Sequence, residues 1–566
     1  MPRNEEVKEK EVEYDQLLSA AGEFGIYQIF LFFKTSPFYI FGAFVYFSQL
    51  FLTEVSPNHW CWIPELENMT AIERRSLGIP TDSGSTFGYS QCTSYAANWT
   101  EVLITGDKPD QSWGTQKCQY GWEFNTTEIP YATISSELGW VCEKDSYQAT
   151  AQSLFFVGSI IGAFIVGWIA DRFGRIPAAV FANIIGCVAG VASTFTRSFI
   201  EFTICRIFMG MAYDNCMIMT YLLVLEYTTP KYRTLISNLS FAIFFTLGVT
   251  ALPWISLACG NWKIISVVTS IPLALSLLAP FIMPESPRWL ITKGRIDEVV
   301  SNVTVIAKTN KRDVPAKLIE QFKTSCAKKD EDKSESLHEL LKRPLLRNMF
   351  LCACLEYLCC MVVFDALVRT IGALKFDFFV SFTVISFTEF PSLFLLSFIS
   401  DLTGRKWLAI ISLAVCGIFS LITPFVGGGL PSVLCAVAAR FCVNMAFNSV
   451  LQWSAELLPT SVRGSGTSIV HVCGYIATCI SPFIAYLDNY VSWLSMVVIG
   501  AIAVFAAALC LYLPETAQKD MPQTINEVEG MMQTRTFWDK PCIKKRDSYY
   551  RTSNGQTNNT FEIDEL

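Results

Sequence analysis

The chain has 566 residues, of which 52% are hydrophobic and 16% are charged, and its mean hydropathy is +0.37. An average soluble domain is about 25% charged, so this composition excludes an ordinary water-soluble protein and indicates a membrane protein. The formal net charge of −7 excludes nothing further, because the orientation of a membrane protein follows the positions of its Lys and Arg residues.

Apolar runs long enough to cross a bilayer recur along the chain. A membrane span needs about 20 apolar residues, because in lipid a helix must satisfy its own backbone hydrogen bonds. Such runs predict twelve spans, at 24–52, 148–170, 177–196, 199–224, 234–257, 263–283, 347–368, 376–400, 407–426, 431–455, 466–487 and 491–513. Residues 1–23 are polar and contain no apolar leader, so we expect no signal peptide and place both termini in the cytosol.

The polar segment 53–147 is predicted to lie outside the cell. It contains three acceptor patterns for N-glycosylation, at Asn68, Asn98 and Asn125. The short turns on the opposite side of the spans carry Lys and Arg, which is typical of the cytosolic side.

The 20 cysteines of the chain divide by compartment. Cys61, Cys92, Cys118 and Cys142 lie in the outer segment, where an oxidising environment allows two disulfides in any of three pairings. Most of the others lie in predicted spans. The closely spaced cysteines of segment 352–360 lack the spacing of a metal site, so we expect no bound metal.

An internal repeat at one offset divides the chain into two halves. Three pairs of motifs are each 230 residues apart: Asp171–Arg175 with Asp401–Arg405, Glu226 and Arg233 with Glu456 and Arg463, and Pro284-Glu285 with Pro514-Glu515. The agreement predicts two six-helix halves, 24–289 and 346–515, joined by a cytosolic linker, 290–345. We therefore predict an all-α membrane protein with the twelve-helix major facilitator fold, whose pseudo-two-fold halves hold a substrate near the middle of the membrane. The polar tail 516–566 is expected to be disordered in the cytosol and available to partners.

The repeated motifs are candidates for a gate at the cytosolic side. Glycine allows a tight turn, and an Arg can meet a carboxylate or a helix C-terminus across the two halves. The candidate gating residues are Asp171, Arg172, Arg175, Glu226, Asp401, Arg405, Glu456 and Arg463. The alternative is a static anchor that only sets topology. In the second half Leu402 replaces the first Arg of the motif, which weakens it there.

Four motifs together resemble those of one carrier family. They are Pro57–Cys61, Cys118–Phe124 with Val141-Cys142, Asp171–Arg175 and Pro284–Leu290. With these motifs the chain resembles the organic ion transporters of the solute carrier 22 family over nearly its whole length. The resemblance implies a polyspecific facilitator of organic cations, carnitine-like zwitterions or organic anions. The outer segment departs from the family in having four cysteines where many members have six.

Ionisable side chains inside the spans are the first candidates for a site, because each costs roughly 2.5–3.5 kcal/mol on insertion scales. The resemblance implies that Glu389 lines the central cavity, where it would attract an ammonium group; the alternative is a structural ion pair. Asp365 is predicted to face the same cavity and to strengthen a preference for cations. Asp214 and Lys34 are candidates for coupling: a Lys paired with an acid would be structural, whereas an unpaired Lys could hold a substrate carboxylate.

The resemblance also implies an aromatic lining of the cavity, suited to cations. The matching positions are Tyr221, Phe245, Tyr357, Phe364 and Phe447, followed by Asn448. Tyr475 stands where the family's cation carriers have an acid and its anion and carnitine carriers a base, so it offers a hydroxyl and a ring face in place of a charge. His471, one turn earlier, could couple transport to protons or could simply pack.

The candidate charges, Asp214, Asp365 and Glu389 against Lys34, favour a small organic cation or zwitterion as the substrate. The predicted function is polyspecific transport across the plasma membrane by alternating access, in contact with lipid. We expect no enzymatic activity, catalytic residue, cofactor or nucleic-acid partner, since the sequence has no phosphate-binding glycine loop and its basic stretches are short.

Two alternatives stay open. The first is an organic anion carrier of the same family, for which Lys34 would be essential and Asp365 dispensable. The second is a receptor-like protein that keeps the carrier fold and senses a ligand without transporting it.

Overall fold

The computed structural model describes residues 14–82, 87–106, 110, 113–328, 337–374, 376–460, 462–491, 493–517, 519 and 521–535. Within them, eleven helical segments are long and apolar enough to cross a membrane: Ile26–Thr53, Cys142–Phe173, Arg175–Ser193, Phe199–Glu226, Lys231–Cys259, Trp262–Ile282, Pro344–Gly372, Phe378–Ser400, Arg405–Val426, Leu430–Glu456 and Arg463–Asn489. A shorter apolar helix, Leu494–Cys510, follows them. The prediction of a twelve-helix membrane protein is confirmed, and we number these helices as spans one to twelve.

The fourth span is broken in its middle. It consists of the helices Phe199–Ala212 and Asn215–Glu226, which are separated by Tyr213 and Asp214. Asp214 has φ 59° and ψ −48°, a backbone conformation that is rare for a residue with a Cβ and that is often found at functional sites. The break brings an acidic side chain and an interrupted backbone into the centre of the bundle.

The sequence repeat corresponds to one structural contact made twice. The Glu285 carboxylate accepts hydrogen bonds from the backbone N–H groups of Arg175 and Ile176, at 2.8 and 3.1 Å. In the second half, the Glu515 carboxylate accepts from Arg405 and Lys406, at 2.9 and 3.1 Å. Each carboxylate therefore satisfies the unpaired N–H groups at the start of a span, the third or the ninth.

Glycine is required beside both contacts. Gly174 and Gly404 have φ values of 112° and 80°, and a Cβ at either position would clash with the carboxylate of Glu285 or Glu515. The glycines of the repeated motif therefore allow both the turn and the close approach of the carboxylate.

The described residues between 54 and 145 form a folded domain on one face of the bundle, which we call the loop face. Two antiparallel strand pairs, His59–Cys61 with Trp122–Phe124 and Thr93–Tyr95 with Thr115–Lys117, form its framework. The structure contains one of the three pairings that the sequence allows, with disulfides Cys61–Cys118 and Cys92–Cys142. These bonds tie the two strand pairs to each other and to the start of the second span.

Short helices cover the opposite face, which we call the motif face because it carries the repeated motifs. The linker contributes the helices Pro287–Thr292, Ile296–Thr309, Ala316–Lys328 and Leu337–Lys342, and they are preceded in the chain by Tyr14–Ala21. Asp15 pairs with Arg233 at 2.7 Å, which ties the first of these helices to the start of the fifth span.

The tail is partly folded. Residues Ile525–Gln533 form a helix, and Arg343, which precedes the seventh span, bonds to Asn526 at 2.7 Å and pairs with Glu529. The expectation of a disordered tail is therefore wrong for this helix. Residues 536–566 of the predicted tail lie outside the described residues.

The two halves are in close contact towards the loop face. Phe51 of the first span packs against Phe378 and Phe382 of the eighth, with ring centroids 5.6 and 4.9 Å apart. The second and eleventh spans meet where the Ser153 hydroxyl donates to the Cys479 carbonyl at 2.7 Å. The bundle is therefore closed at the loop face in this conformation.

Candidate functional site

Predicted substrate contacts form two aromatic clusters, one in each half. In the second half, the Phe447 ring lies 4.7 Å from Phe364 and 5.9 Å from Tyr357, and His471 lies 6.0 Å from Tyr357. In the first half, Tyr221 and Phe245 lie 5.8 and 5.7 Å from Phe241. Asn448 follows Phe447 and donates to the Asn444 carbonyl at 2.9 Å. The predicted aromatic positions are thus neighbours within each half, and their contact with substrate stays a prediction.

Asp214 and Tyr475 connect the two halves near the middle of the spans. The Tyr475 hydroxyl donates to the Asp214 carboxylate at 3.0 Å, and the rings of Tyr475 and Tyr213 lie 6.4 Å apart. Asp214 is half-buried. A partly exposed carboxylate beside tyrosine side chains has the chemistry of an ammonium site.

Asp365 lies in a buried polar cluster between the halves. Its carboxylate pairs with Arg369, at 2.7 Å, on the same helix, and accepts hydrogen bonds from Tyr46 and Ser481. Arg369 donates to Gln152 as well. Since Tyr46 and Gln152 belong to the first half, the cluster joins the first, second, seventh and eleventh spans.

Glu389 is held by a second buried arginine. Its carboxylate accepts from Arg440 of the tenth span at 2.8 Å. The Arg440 guanidinium lies 3.8 Å from the centroid of the Phe364 ring and also donates to the Phe364 carbonyl. The structure thus contains an ion pair at Glu389, and a contact between Glu389 and substrate stays a prediction.

Lys34 lies beside the end of the sixth span. Its side chain is exposed, and its ammonium group donates to the Ile282 carbonyl at 3.2 Å. Among the described contacts Lys34 pairs with no acid, and the role of an unpaired Lys that holds a substrate carboxylate stays a prediction. A Lys at this position places its charge beside a helix C-terminus, where the helix dipole stabilises it.

The acidic excess predicted from the sequence therefore reduces to fewer groups. Away from the ends of the described spans, the carboxylates are Asp214, Glu356, Asp365 and Glu389. Asp365 and Glu389 are neutralised by arginines. Glu356 is buried and accepts a hydrogen bond from the Cys510 thiol at 3.5 Å. Asp214 is thus the one carboxylate of this set that is both partly exposed and without a cationic partner.

Sequence reasoning missed the partners of these acids. Arg369 lies one residue beyond the predicted seventh span, and its spacing of four from Asp365 is the signal that could have identified the pair. Arg440 lies inside a predicted span and was a further ionisable candidate by the same rule as Glu389. Tyr46, Gln152 and Ser481 carry no such signal, because their role depends on how four helices pack.

The candidate gating residues make contacts within their own half. Arg405 pairs with Glu456 at 3.3 Å and Arg175 pairs with Asp171 at 3.0 Å. Glu226 accepts from the Ser286 hydroxyl. A latch that joins the two halves through these groups is therefore absent from the described contacts of this conformation.

The other two arginines of the gate set also stay within their halves. Arg463 donates to the Leu458 carbonyl at 3.1 Å, and Arg172 lies over the ring of Trp168 at 5.6 Å. The side chain of Asp401 lies outside the described part of the structure.

The chain is similar to known membrane transporters. The family model described as sugar (and other) transporter matches residues 93–527. The carcinine transporter of Drosophila melanogaster is 28% identical, over 100% of this chain and 87% of its own length. Organic cation/carnitine transporter 2 of Homo sapiens is 27% identical, over 93% of this chain and 96% of its own length.

A solved structure shares the fold. The inward open xylose transporter XylE from E. coli superposes with a TM-score of 0.58, at 15% identity, over 88% of this chain and 99% of that chain. This likeness confirms the major facilitator fold. The matches to the carcinine transporter and to organic cation/carnitine transporter 2 confirm the resemblance to the solute carrier 22 family.

Proposed function

We propose that this chain, which belongs to the sugar (and other) transporter family, carries small organic cations or zwitterions across the membrane by alternating access. Like the relatives it resembles, it is a membrane transporter and not an enzyme. The names of two relatives, an organic cation/carnitine transporter and a carcinine transporter, support this substrate class. The proposal is carried by Asp214, a half-buried carboxylate at the break of the fourth span that has no cationic partner among the described residues.

The position of Asp214 connects substrate binding to the movement of the halves. The only described hydrogen bond to the Asp214 carboxylate comes from the Tyr475 hydroxyl, which belongs to the other half. A substrate ammonium that binds the carboxylate replaces or bridges this contact, and so changes the free energy of the closed arrangement of the halves. Aromatic faces of Tyr213 and Tyr475 complete the surroundings of the cation.

The anion-carrier alternative is weakened by the contact of Lys34, because that ammonium group already donates to the Ile282 carbonyl. The buried guanidinium groups of Arg369 and Arg440 are paired with carboxylates, so they do not offer a free positive charge to an anionic substrate.

Uptake into cells tests the substrate class. Cells that express the protein are given a panel of radiolabelled organic cations, zwitterions and anions, with and without depolarisation. A potential of about 100 mV contributes roughly 2.3 kcal/mol per charge, which supports on the order of 50-fold accumulation of a monovalent cation. We expect cation uptake that falls on depolarisation. Anion uptake alone would contradict the proposal, and no uptake with normal surface delivery would favour the receptor alternative.

We also propose that the loop face is extracellular at the plasma membrane and that both termini are cytosolic. Asn68 and Asn98 are exposed and Asn125 is half-buried on that face, which allows a glycan at each acceptor pattern. Replacing each with Gln is expected to remove one glycan, measured as a stepwise gain in gel mobility before glycosidase treatment.

Asn302 provides the matched control for this topology. It has the same acceptor pattern, but it lies in the helix Ile296–Thr309 on the motif face and donates to the Tyr227 hydroxyl at 3.3 Å. Asn302→Gln should leave the mobility unchanged. A mobility change in this variant together with none in the three loop variants would reverse the proposed orientation.

A further inference from the structure

Arg206 is a buried cation that has no acidic partner. It belongs to the fourth span and is 1% exposed. One of its terminal nitrogens, Nη2, donates to the Ser193 hydroxyl of the third span at 3.0 Å, and its guanidinium lies 4.8 Å from the centroid of the Phe202 ring. Among the described residues, Arg206 takes part in no ion pair, and its Nε and Nη1 groups have no hydrogen-bond partner.

Unpartnered hydroxyl groups accompany this arginine. The hydroxyls of Thr203, three residues earlier on the same helix, and of Ser270 on the sixth span are buried without a partner in the described part of the chain. A Cβ at Gly190 would clash with the Ser270 hydroxyl, so Gly190 lets the third and sixth spans approach closely here. Ser266 of the sixth span lies 3.0 Å from the Ser193 hydroxyl that Arg206 contacts.

The chain itself shows how a buried guanidinium is otherwise satisfied. Arg440, which is equally buried, has the Glu389 carboxylate, the Phe364 carbonyl and the Phe364 ring as partners, and only its Nε has no partner among the described residues. Arg206 has a ring and one hydroxyl but lacks the carboxylate. A guanidinium has five N–H donors and no acceptor, and an uncompensated buried charge is costly, so an anion would satisfy Arg206 as the Glu389 carboxylate satisfies Arg440.

We propose that Arg206 binds a small monovalent anion, of which chloride is the common physiological one. The donors are the Nε and Nη1 groups of Arg206, and the further candidates are the hydroxyls of Thr203, one helical turn earlier, and of Ser270, which packs against Gly190 of the third span. The site lies near the loop face, because Ser193 ends the helix of the third span and Phe199 begins that of the fourth. It is separate from the proposed substrate site at Asp214 and does not depend on it.

Thermal unfolding of the purified full-length protein tests the proposal. Chloride or bromide is titrated into sodium gluconate at constant ionic strength, since gluconate is too large for such a buried site. A ligand that binds only the folded protein raises the unfolding temperature in a saturable way. We expect this rise in the wild type and its loss in Arg206→Gln.

Two serine variants keep the test informative if Arg206→Gln does not fold. Ser270→Ala removes a donor and should weaken the halide midpoint by roughly tenfold. Ser276→Ala is the control, because Ser276 is also buried in the sixth span without a partner among the described residues but is more than one helical turn away. Equal unfolding temperatures at all chloride concentrations in the wild type, or equal shifts in both serine variants, would overturn the proposal and leave water as the partner of Arg206.

Discussion

Asp214→Asn is expected to lower the affinity for cationic substrates by roughly 10- to 100-fold. A hydrogen bond to a charged group contributes about 1.5–3 kcal/mol, and each 1.4 kcal/mol corresponds to a factor of ten. Asn has nearly the same shape and still accepts a hydrogen bond from Tyr475, which lies 3.0 Å from the carboxylate. The substitution therefore removes the charge and keeps the contact between the halves. Saturation uptake, corrected for the amount of protein at the surface, measures the effect as a rise in KM.

Glu356→Gln is the matched control for this prediction. Glu356 is the other carboxylate of the central set without a cationic partner, but it is 1% exposed and its described partner is the Cys510 thiol of the twelfth span. Its neutralisation should leave the KM for cations within about twofold of the wild type, a factor well under 1 kcal/mol. If both variants raised KM equally, the effect would come from general electrostatics and not from a site at Asp214.

Arg369→Gln is expected to destabilise the protein by about 3–5 kcal/mol, because it leaves the buried Asp365 carboxylate without its counter-charge. The two side chains are 3% and 2% exposed and pair at 2.7 Å. The same substitution removes the contact between Arg369 and Gln152, which joins the halves. Thermal unfolding in detergent and the surface level in cells should both fall.

The double variant Asp365→Asn/Arg369→Gln separates charge from shape. It removes both buried charges and retains groups that can accept and donate hydrogen bonds to Tyr46, Ser481 and Gln152. We expect it to be more stable than Arg369→Gln alone, since breaking a buried pair costs more than removing it. A double variant that is as unstable as the single variant would show that packing at this cluster, and not the ion pair, provides the stability.

The fold followed closely from the sequence because its signals are local. A run of apolar residues predicts a span by its length alone, and the 230-residue offset of short motifs predicts the two halves. The contacts of Glu285 and Glu515 with the starts of the third and ninth spans show why that offset was so regular. The helix Ile525–Gln533 was missed because it is short and polar, and its docking depends on contacts such as Arg343 with Glu529.

The candidate site followed less closely because charge neutralisation is a property of packing. Glu389 and Arg440 belong to different helices, and only their distance of 2.8 Å shows that they pair. Lys34 balances the acids in a count of charges, but its described partner is the Ile282 carbonyl and none of the three acids. The break at Asp214 contains neither Pro nor Gly, so no residue with an obvious backbone preference indicated it.

The most direct test of a carboxylate that selects cations compares one substrate with its neutral counterpart. A quaternary ammonium compound taken up by the wild type and its isosteric neutral carbon analogue, in which carbon replaces the charged nitrogen, are measured in the wild type, Asp214→Asn and Glu356→Gln. We expect a preference of at least about tenfold for the charged compound in the wild type and in Glu356→Gln, and its loss in Asp214→Asn, in line with the free energy of one charged hydrogen bond. An undiminished preference in Asp214→Asn would contradict the assignment of the cation site to Asp214.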